Sequence, residues 1–443
     1  MKIKLSDHFT YSKLLRFVFP SIIMMVFTSI YGVVDGLFVS NFAGKTAFAS
    51  INLVMPFVMI LGGIGFMIGT GGTALVSKVL GEGKKEKANE IFTMMIIFTL
   101  LLGALLSVIG VISMPWVAKF LGATEEMMAD CVLYGRIVTG FTVAFMLQNV
   151  FQSFLIAAEK PKLGLLATVL AGITNMALDA IFIIVFKWGV AGAAIATGLS
   201  QCVGGIFPLI YFSRKNSSLL RLTKTKLEIK PILNACGNGS SELMSNISSS
   251  VVSMIYNFQL MKYVGEDGVS AYGVLMYVQF IFVAIYIGYA IGCAPITGYH
   301  FGARNHNELK NMLRKSSFLS AVSGVVLTIL AIALSSPLAK LFVGYDEELY
   351  ELTRHAFRLF AYSFLLAGFN IFTSSFFTAL NNGAVSAAIS FMRTLIFQTS
   401  SVLILPIFLG VDGIWWAITV AEFFAFILSL IFLFAKRKKY NYI

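Results

Sequence analysis

Charge is scarce in this sequence. Only 12% of its 443 residues are Asp, Glu, Lys or Arg, about half the share a soluble domain carries. Such a chain cannot cover itself with a water-compatible surface, so an ordinary soluble fold is excluded and the bilayer is left as its solvent. Cysteine and histidine are scarce too, with four of each. Cys131, Cys202, Cys236 and Cys293 show no pairing pattern and sit mostly in apolar runs. They read as small packing residues, with no disulfide implied. The histidines show no metal-ligand spacing either. A zinc-type His-Glu-x-x-His, a Gly-x-Ser-x-Gly elbow and a phosphate-binding loop are all missing. A membrane enzyme is therefore the weaker class of reading. With no nucleotide-binding element, no cofactor is expected, and energy for any work must come from an ion gradient or a partner.

What the sequence has is hydrocarbon. Apolar residues make up 58% and the mean hydropathy is +0.85. Twelve apolar stretches are long enough to span, near 15–41, 50–78, 91–116, 128–158, 161–186, 190–213, 232–262, 268–300, 314–336, 349–379, 384–409 and 413–435. A membrane core needs about 20 residues per span. Several stretches are longer, which implies tilt. Continuous runs with Gly and Pro interruptions read as helices, whereas a barrel would alternate polar and apolar residues. The segment after Met1 is too long an apolar run for a cleaved signal peptide and lacks its small-residue site.

The chain also echoes itself at an offset of 221 residues. Gly44 falls on Gly265, Gly81 on Gly302, Lys119 on Lys340, and Phe151-x-Ser153 on Phe372-x-Ser374. Gly189-Val190-x-Gly192 falls on Gly410-Val411-x-Gly413. Each match is weak; their shared offset makes the case for a duplicated transporter-like membrane fold. Six spans per copy is an even number, so the two halves enter the membrane in the same orientation. The expected architecture is an all-α membrane protein of two parallel six-helix lobes, related by a pseudo-two-fold axis along the membrane normal. The first lobe takes 1–213, a basic linker 214–231, and the second lobe 232–443. A central cavity between the lobes is the expected path.

The formal charge of +12 could suggest nucleic acid, but its placement points to topology. Most of the basic residues fall at the ends and in the even-numbered loops: Lys2, Lys4, Lys13 and Arg16; Lys78, Lys84, Lys85 and Lys87; Lys160 and Lys162; the run from Arg214 to Lys230; Arg304 to Lys315; and Lys436 to Lys439. The opposite face has Lys45, Lys119, Lys187, Lys262 and Lys340. The positive-inside rule then places both termini in the cytoplasm of a multi-pass cell-membrane protein, with a monomer expected and no nucleic-acid partner.

Ionisable groups inside the spans each need a reason, because burying one costs several kcal/mol. Asp35 lies in the first span and Asp179 in the fifth, with Asn175 one turn earlier on the same face. Thr197 lies in the sixth span. At 1.5 Å per residue all four polar groups stand roughly 10 Å below the outer surface. Two carboxyls, an amide oxygen and a hydroxyl at one depth suit a small hard cation such as Na+. They also suit proton exchange, since two like charges resist full ionisation together. No Lys or Arg lies at that depth in those spans to neutralise them. The alternative is that each acid merely pairs with a polar neighbour. The second half carries no such set: Asp35 maps to Tyr256, Asn175 to Ile396 and Asp179 to Ser400. It has instead Glu242 near the start of the seventh span, as a helix-start residue or a second-lobe site, and Arg393 with Glu422, within reach of one another as a structural ion pair. Phe, Tyr and Met are abundant enough to line a cavity for apolar or aromatic molecules, though they also face lipid.

At Pro20, Asp35 and the loop Ser77-Lys-Val-Leu-Gly-Glu-Gly-Lys-Lys-Glu-Lys-Ala, with Pro161, Asn175, Asp179 and Thr197, the whole chain resembles the multidrug and toxic compound extrusion (MATE) transporters, in their bacterial drug-exporter branch. The resemblance implies that Asp35, Asn175, Asp179 and Thr197 bind the coupling cation and that Pro20 marks a bend in the first helix. It further implies that Tyr31 and Gln152 line the first-lobe cavity; Glu242 does not align clearly with the helix-seven glutamate of other branches. The expected function is H+- or Na+-coupled antiport, exporting small amphiphilic and often cationic organic compounds from the cytoplasm. A lipid-linked or metabolite flippase of the same superfamily would usually have about two more helices. A major-facilitator transporter would usually carry a G-x-x-x-D-R-x-G-R-type loop, which Gly81-Glu-Gly-Lys-Lys-Glu lacks.

Overall fold

The computed structural model describes residues 3–442, apart from the Lys45 side chain; Lys2 lies outside the described residues. Among them the chain is helical, with no strand. The fold is an all-α membrane bundle of twelve helical runs in two lobes. Helices one to six comprise Tyr11–Ala43, Lys45–Gly81, Lys85–Phe120, a run from Glu125–Gly140 into Thr142–Ala157, Pro161–Val185 and Gly189–Ser213. Helices seven to twelve are Ile229–Tyr263, Glu266–Gly302, His306–Val343, Glu347–Ala379, Gly383–Leu409 and Val411–Tyr440. Helix four bends by 54° around Phe141. Ten runs, or eleven if bent helix four counts as one, are long and apolar enough to cross a membrane. Helix seven is the exception to the expectation of twelve apolar spans. It is equally long at 35 residues but carries Asn234, Asn238, Ser241, Glu242 and Asn246. A helix this polar needs protein around it rather than lipid, and it lies along helix two, where Gly71 meets Ala235 and Gly239 meets Met67.

The repeat is visible in the backbone itself. Gly44 and Gly265 both take left-handed φ angles, 100° and 86°, at the turns into helices two and eight. Gly189 and Gly410, at the turns into helices six and twelve, take 54° and 58°. Glycine meets these conformations without the steric cost a Cβ would bring. The two copies also touch across their symmetry axis. A Cβ on Gly81 would stand 1.9 Å from the Tyr299 carbonyl oxygen, and one on Gly302 would stand 1.9 Å from that of Lys78. Tyr299 is itself the repeat-mate of Lys78, so helices two and eight cross in a self-complementary contact that only glycine permits.

That contact lies at the end of the bundle where both described chain ends are tucked. There, one continuous apolar cluster joins Phe9, Phe17 and Met24 to Ile291, Phe376 and Tyr442, mixing the two halves. At the opposite end the clusters separate. Ile51, Val54, Tyr134 and Ile183 belong to the first six helices, and Tyr256, Tyr272, Phe364 and Trp415 to the second six. The halves are sealed at the end carrying the termini and parted at the other. The chain before helix one reinforces the seal. The Leu5 amide donates to Glu159 Oε1 in the first half at 2.9 Å. The Phe9 amide donates to Glu308 Oε1 in the second half at 3.0 Å.

Candidate functional site

Helices one, four and five bring polar groups together inside the first half. The Asp35 carboxyl lies beside the Asp179 carboxyl and the Asn175 side chain. The i, i+4 spacing places Asn175 and Asp179 on one inward face of helix five, and both are buried, at 2% and 0% exposure. Asp35 is half-buried. Tyr31, one turn before Asp35, packs where Gly172 of helix five leaves room, with its hydroxyl beside Gln148. The buried ring of Tyr134, on helix four, stands close to both acids.

The backbone changes at the same level. Helix five widens to a π-helical turn at Ala180–Val185, directly after Asp179. Helix one does so at Val39–Ala43, just beyond Asp35. The two turns pack against each other. Such turns disturb the regular i→i−4 ladder and recur at functional sites. They can redirect the side chains just before them.

Charge balance sets the chemistry. Asp35 Oδ1, both Asp179 oxygens, the Asn175 amide oxygen and Thr197 Oγ1 are shielded from solvent with no hydrogen-bond partner among the described residues. No Lys, Arg or His reaches either carboxyl within ion-pairing distance there. Two facing carboxylates shielded from water cannot both stay ionised without compensation, because burying one unpaired charge already costs many kcal/mol. A proton between them, or a small cation accepting these oxygens, removes the penalty. Among the described residues no three His, Cys, Asp or Glu side chains converge. A cation here would therefore need neutral oxygens, which Asn175 supplies beside the pair. Thr197 sits on helix six, which packs along helix five.

The second half is built differently. Glu422 is met by the Arg393 guanidinium through two nitrogens, Nε at 2.9 and 3.0 Å and Nη2 at 2.6 Å. Asn370 Nδ2 donates to the same carboxylate at 2.7 Å, and Ser429 donates to Asn370 at 3.3 Å. This acid is compensated, as the structural ion-pair reading requires. Tyr256, the repeat-mate of Asp35, stacks on Tyr272 with centroids 4.9 Å apart.

Helix one runs unbroken through buried Pro20, with no interruption there. Its flanking residues Val18 and Ile22 pack tightly on Gly292 and Gly288 of helix eight, and the π-helical turn of helix one lies further on, at Val39–Ala43. Glu242 is no helix-start residue. Helix seven begins at Ile229 with Pro231 in its first turn, where proline is tolerated, and Glu242 falls well inside it. Gln152 is buried on helix four with Oε1 unpartnered. Sequence reasoning passed over Gln148 and Tyr134. Gln148 lies one turn before Gln152, but an amide or a tyrosine in a helix carries no mark of the direction it faces, so neither residue stood out.

Comparison with known proteins agrees with this architecture. The sequence model of the MatE family matches residues 20–181 and, again, 243–401, once in each half. The multidrug export protein MepA of Staphylococcus haemolyticus (strain JCSC1435) is 24% identical over 435 residues, covering 97% of this chain and 94% of that protein. A solved structure described as the outward-facing conformation of a multidrug resistance MATE family transporter of the MOP superfamily superposes with a TM-score of 0.92 at 22% identity, covering 98% of both chains. A MOP superfamily transporter from Pyrococcus furiosus, described as having a binding pocket of reverse polarity that suggests a different function, superposes with a TM-score of 0.91 at 23% identity. It covers 98% of this chain and 97% of its own. At such identities the solved structures speak for the fold alone.

Proposed function

The chain belongs to the MatE family, and from that premise we propose that it is a cation-coupled antiporter exporting amphiphilic, often cationic, organic compounds from the cytoplasm. The observation that carries the reading is the uncompensated pair Asp35 and Asp179 beside Asn175. The similarity to MepA, named a multidrug export protein, supports the substrate class.

The basic residues cluster at the end where the halves are sealed, so the positive-inside rule assigns that end to the cytoplasm. The parted end then faces outward, and the acids stand within reach of ions from outside. A proton or Na+ entering from that side neutralises the pair. Neutralisation lets helices one and five approach, and it disfavours a substrate held in the first-half cavity near Tyr31 and Gln152. One charge moving inward across 100 mV contributes about 2.3 kcal/mol, enough for a sizeable uphill gradient. Rocking of the halves, which parts the sealed end with its Gly81–Gly302 crossing and closes the outer one, completes alternating access. The test is efflux of a fluorescent organic cation from vesicles under an imposed H+ or Na+ gradient. Asp35→Asn should abolish gradient-driven efflux, and full retention would overturn the coupling assignment.

A further inference from the structure

Where the halves seal, the axis ends in an open cavity of ≈770 Å³. Its walls come from both halves: Lys78, Glu82 and Lys84 on one side, Phe301, Arg304 and His306 on the other. Three of these are permanent cations and one is an acid. That acid, Glu82, is already engaged by Lys84 at 2.9 Å. The Lys78 ammonium reaches across the seam to stand 5.5 Å over the Phe301 ring. Helices three and nine begin here, at Lys85 and His306, and add the positive ends of their dipoles.

Arg304 supplies a second, independent sign. Its backbone is left-handed, φ 54°, at the position where its repeat-mate is Gly83, φ 79°. The first half uses the residue that suits this turn; the second accepts a strained backbone to place a guanidinium at the cavity. A planar guanidinium sharing one cavity with two ammonium groups suits phosphate oxygens.

We propose that this cavity binds a phosphate-bearing anion through Lys78, Lys84 and Arg304, and that the bound anion clips the two halves together on this face. The two sources are the headgroup of an anionic phospholipid and a free phosphate. Because the walls belong to different halves, parting them dismantles the site, so the anion favours the sealed state over the parted one. Binding stands apart from the transport reading; only the consequence for the transport cycle rests on it.

The test labels the repeat-mates Glu86 and Asn307, both exposed beside the cavity, as a spin-labelled cysteine pair in the full chain with its native cysteines replaced. The distance between labels is followed in phosphatidylcholine vesicles, with phosphatidylglycerol added, or with inorganic phosphate added. A shift toward the short-distance population is expected, weakening with salt. Phosphatidylglycerol acting alone identifies the headgroup as the source; phosphate acting alone identifies the soluble anion; both acting identifies the shared phosphate chemistry. Removing one cation by Lys84→Gln should weaken the anion response roughly fivefold. Arg304→Gly should do the same while raising Tm without anion, a combination that a purely structural arginine would not give. If neither probe shifts the distances, or if the Lys84→Gln/Arg304→Gly double variant responds like the parent chain, the site is refuted. A distance shift in a chain without gradient-driven efflux would remove the transport reading and leave the site standing.

Discussion

The carboxyl groups of Asp35 on helix one and Asp179 on helix five lie side by side, and among the described residues no cationic side chain forms an ion pair with either. Neutralising one of them should therefore separate stability from function. Asp35→Asn leaves a single acid beside two amides and removes the like-charge conflict. Thermal unfolding in detergent at neutral pH should show a gain of about 1–3 kcal/mol, together with loss of gradient-driven efflux. A variant that lost both stability and efflux would point to a packing role for the carboxyl.

Arg393 and Glu422 should behave in the opposite way. The pair is buried, with side chains 17% and 2% exposed, and each partner satisfies the other. Glu422→Leu alone strands the guanidinium, and Arg393→Met alone strands the carboxylate; each should cost ~3–5 kcal/mol. The Arg393→Met/Glu422→Leu double variant should recover most of that loss. Efflux per folded molecule should stay near that of the parent chain. Additive losses in the unfolding cycle would show that the two side chains are not one unit.

How much of this was legible in the sequence differs between residues for physical reasons. Spans and the repeat depend on hydrophobic runs and glycine positions, which are local, and the repeat-mates Gly44 and Gly265, like Gly189 and Gly410, take matching positive φ angles. Asp35 and Asp179 were readable because a charge inside an apolar run stands out, and Asn175 because it lies one turn before Asp179 on the same face. Tyr134 and Gln148 were not, since aromatic and amide residues are common in helices and only the fold decides which way they face. The close packing of helix one around Pro20 was hidden for a related reason: its partners, Gly288 and Gly292, lie far along the chain. Helix seven misled in the other direction, since its polar run is tolerable only against helix two.

The crossing of Gly81 and Gly302 makes a steric prediction. A Cβ at either position meets a backbone carbonyl at 1.9 Å, and backbone cannot swing aside as a side chain can. Gly81→Val should hold the halves apart on the sealed face. Spin-label distances there should lengthen, and efflux should fall at least tenfold, as for a transporter trapped in one state. Stability should drop by about 1–3 kcal/mol, the usual cost of overpacking. Unchanged distances would mean that the sealed face tolerates a wider crossing than this one.

The final prediction concerns the order of events at the acids. If ion and substrate compete through the first half, linkage requires that each weaken the other by one common factor. Titrating the purified chain with a fluorescent organic cation at several Na+ concentrations and fixed pH, then at several pH values without Na+, gives that factor for each ion. The coupling ion should shift substrate affinity by roughly 5–150-fold, and saturating substrate should shift ion affinity equally. The same titrations on Asp179→Asn should show the factor collapsing toward unity, because the remaining acid can stay ionised without a like-charged neighbour and gains less from the ion. A factor that survived in Asp179→Asn would move the coupling away from this pair, with Glu242 on polar helix seven, which makes no ion pair among the described residues, as the next acid to test.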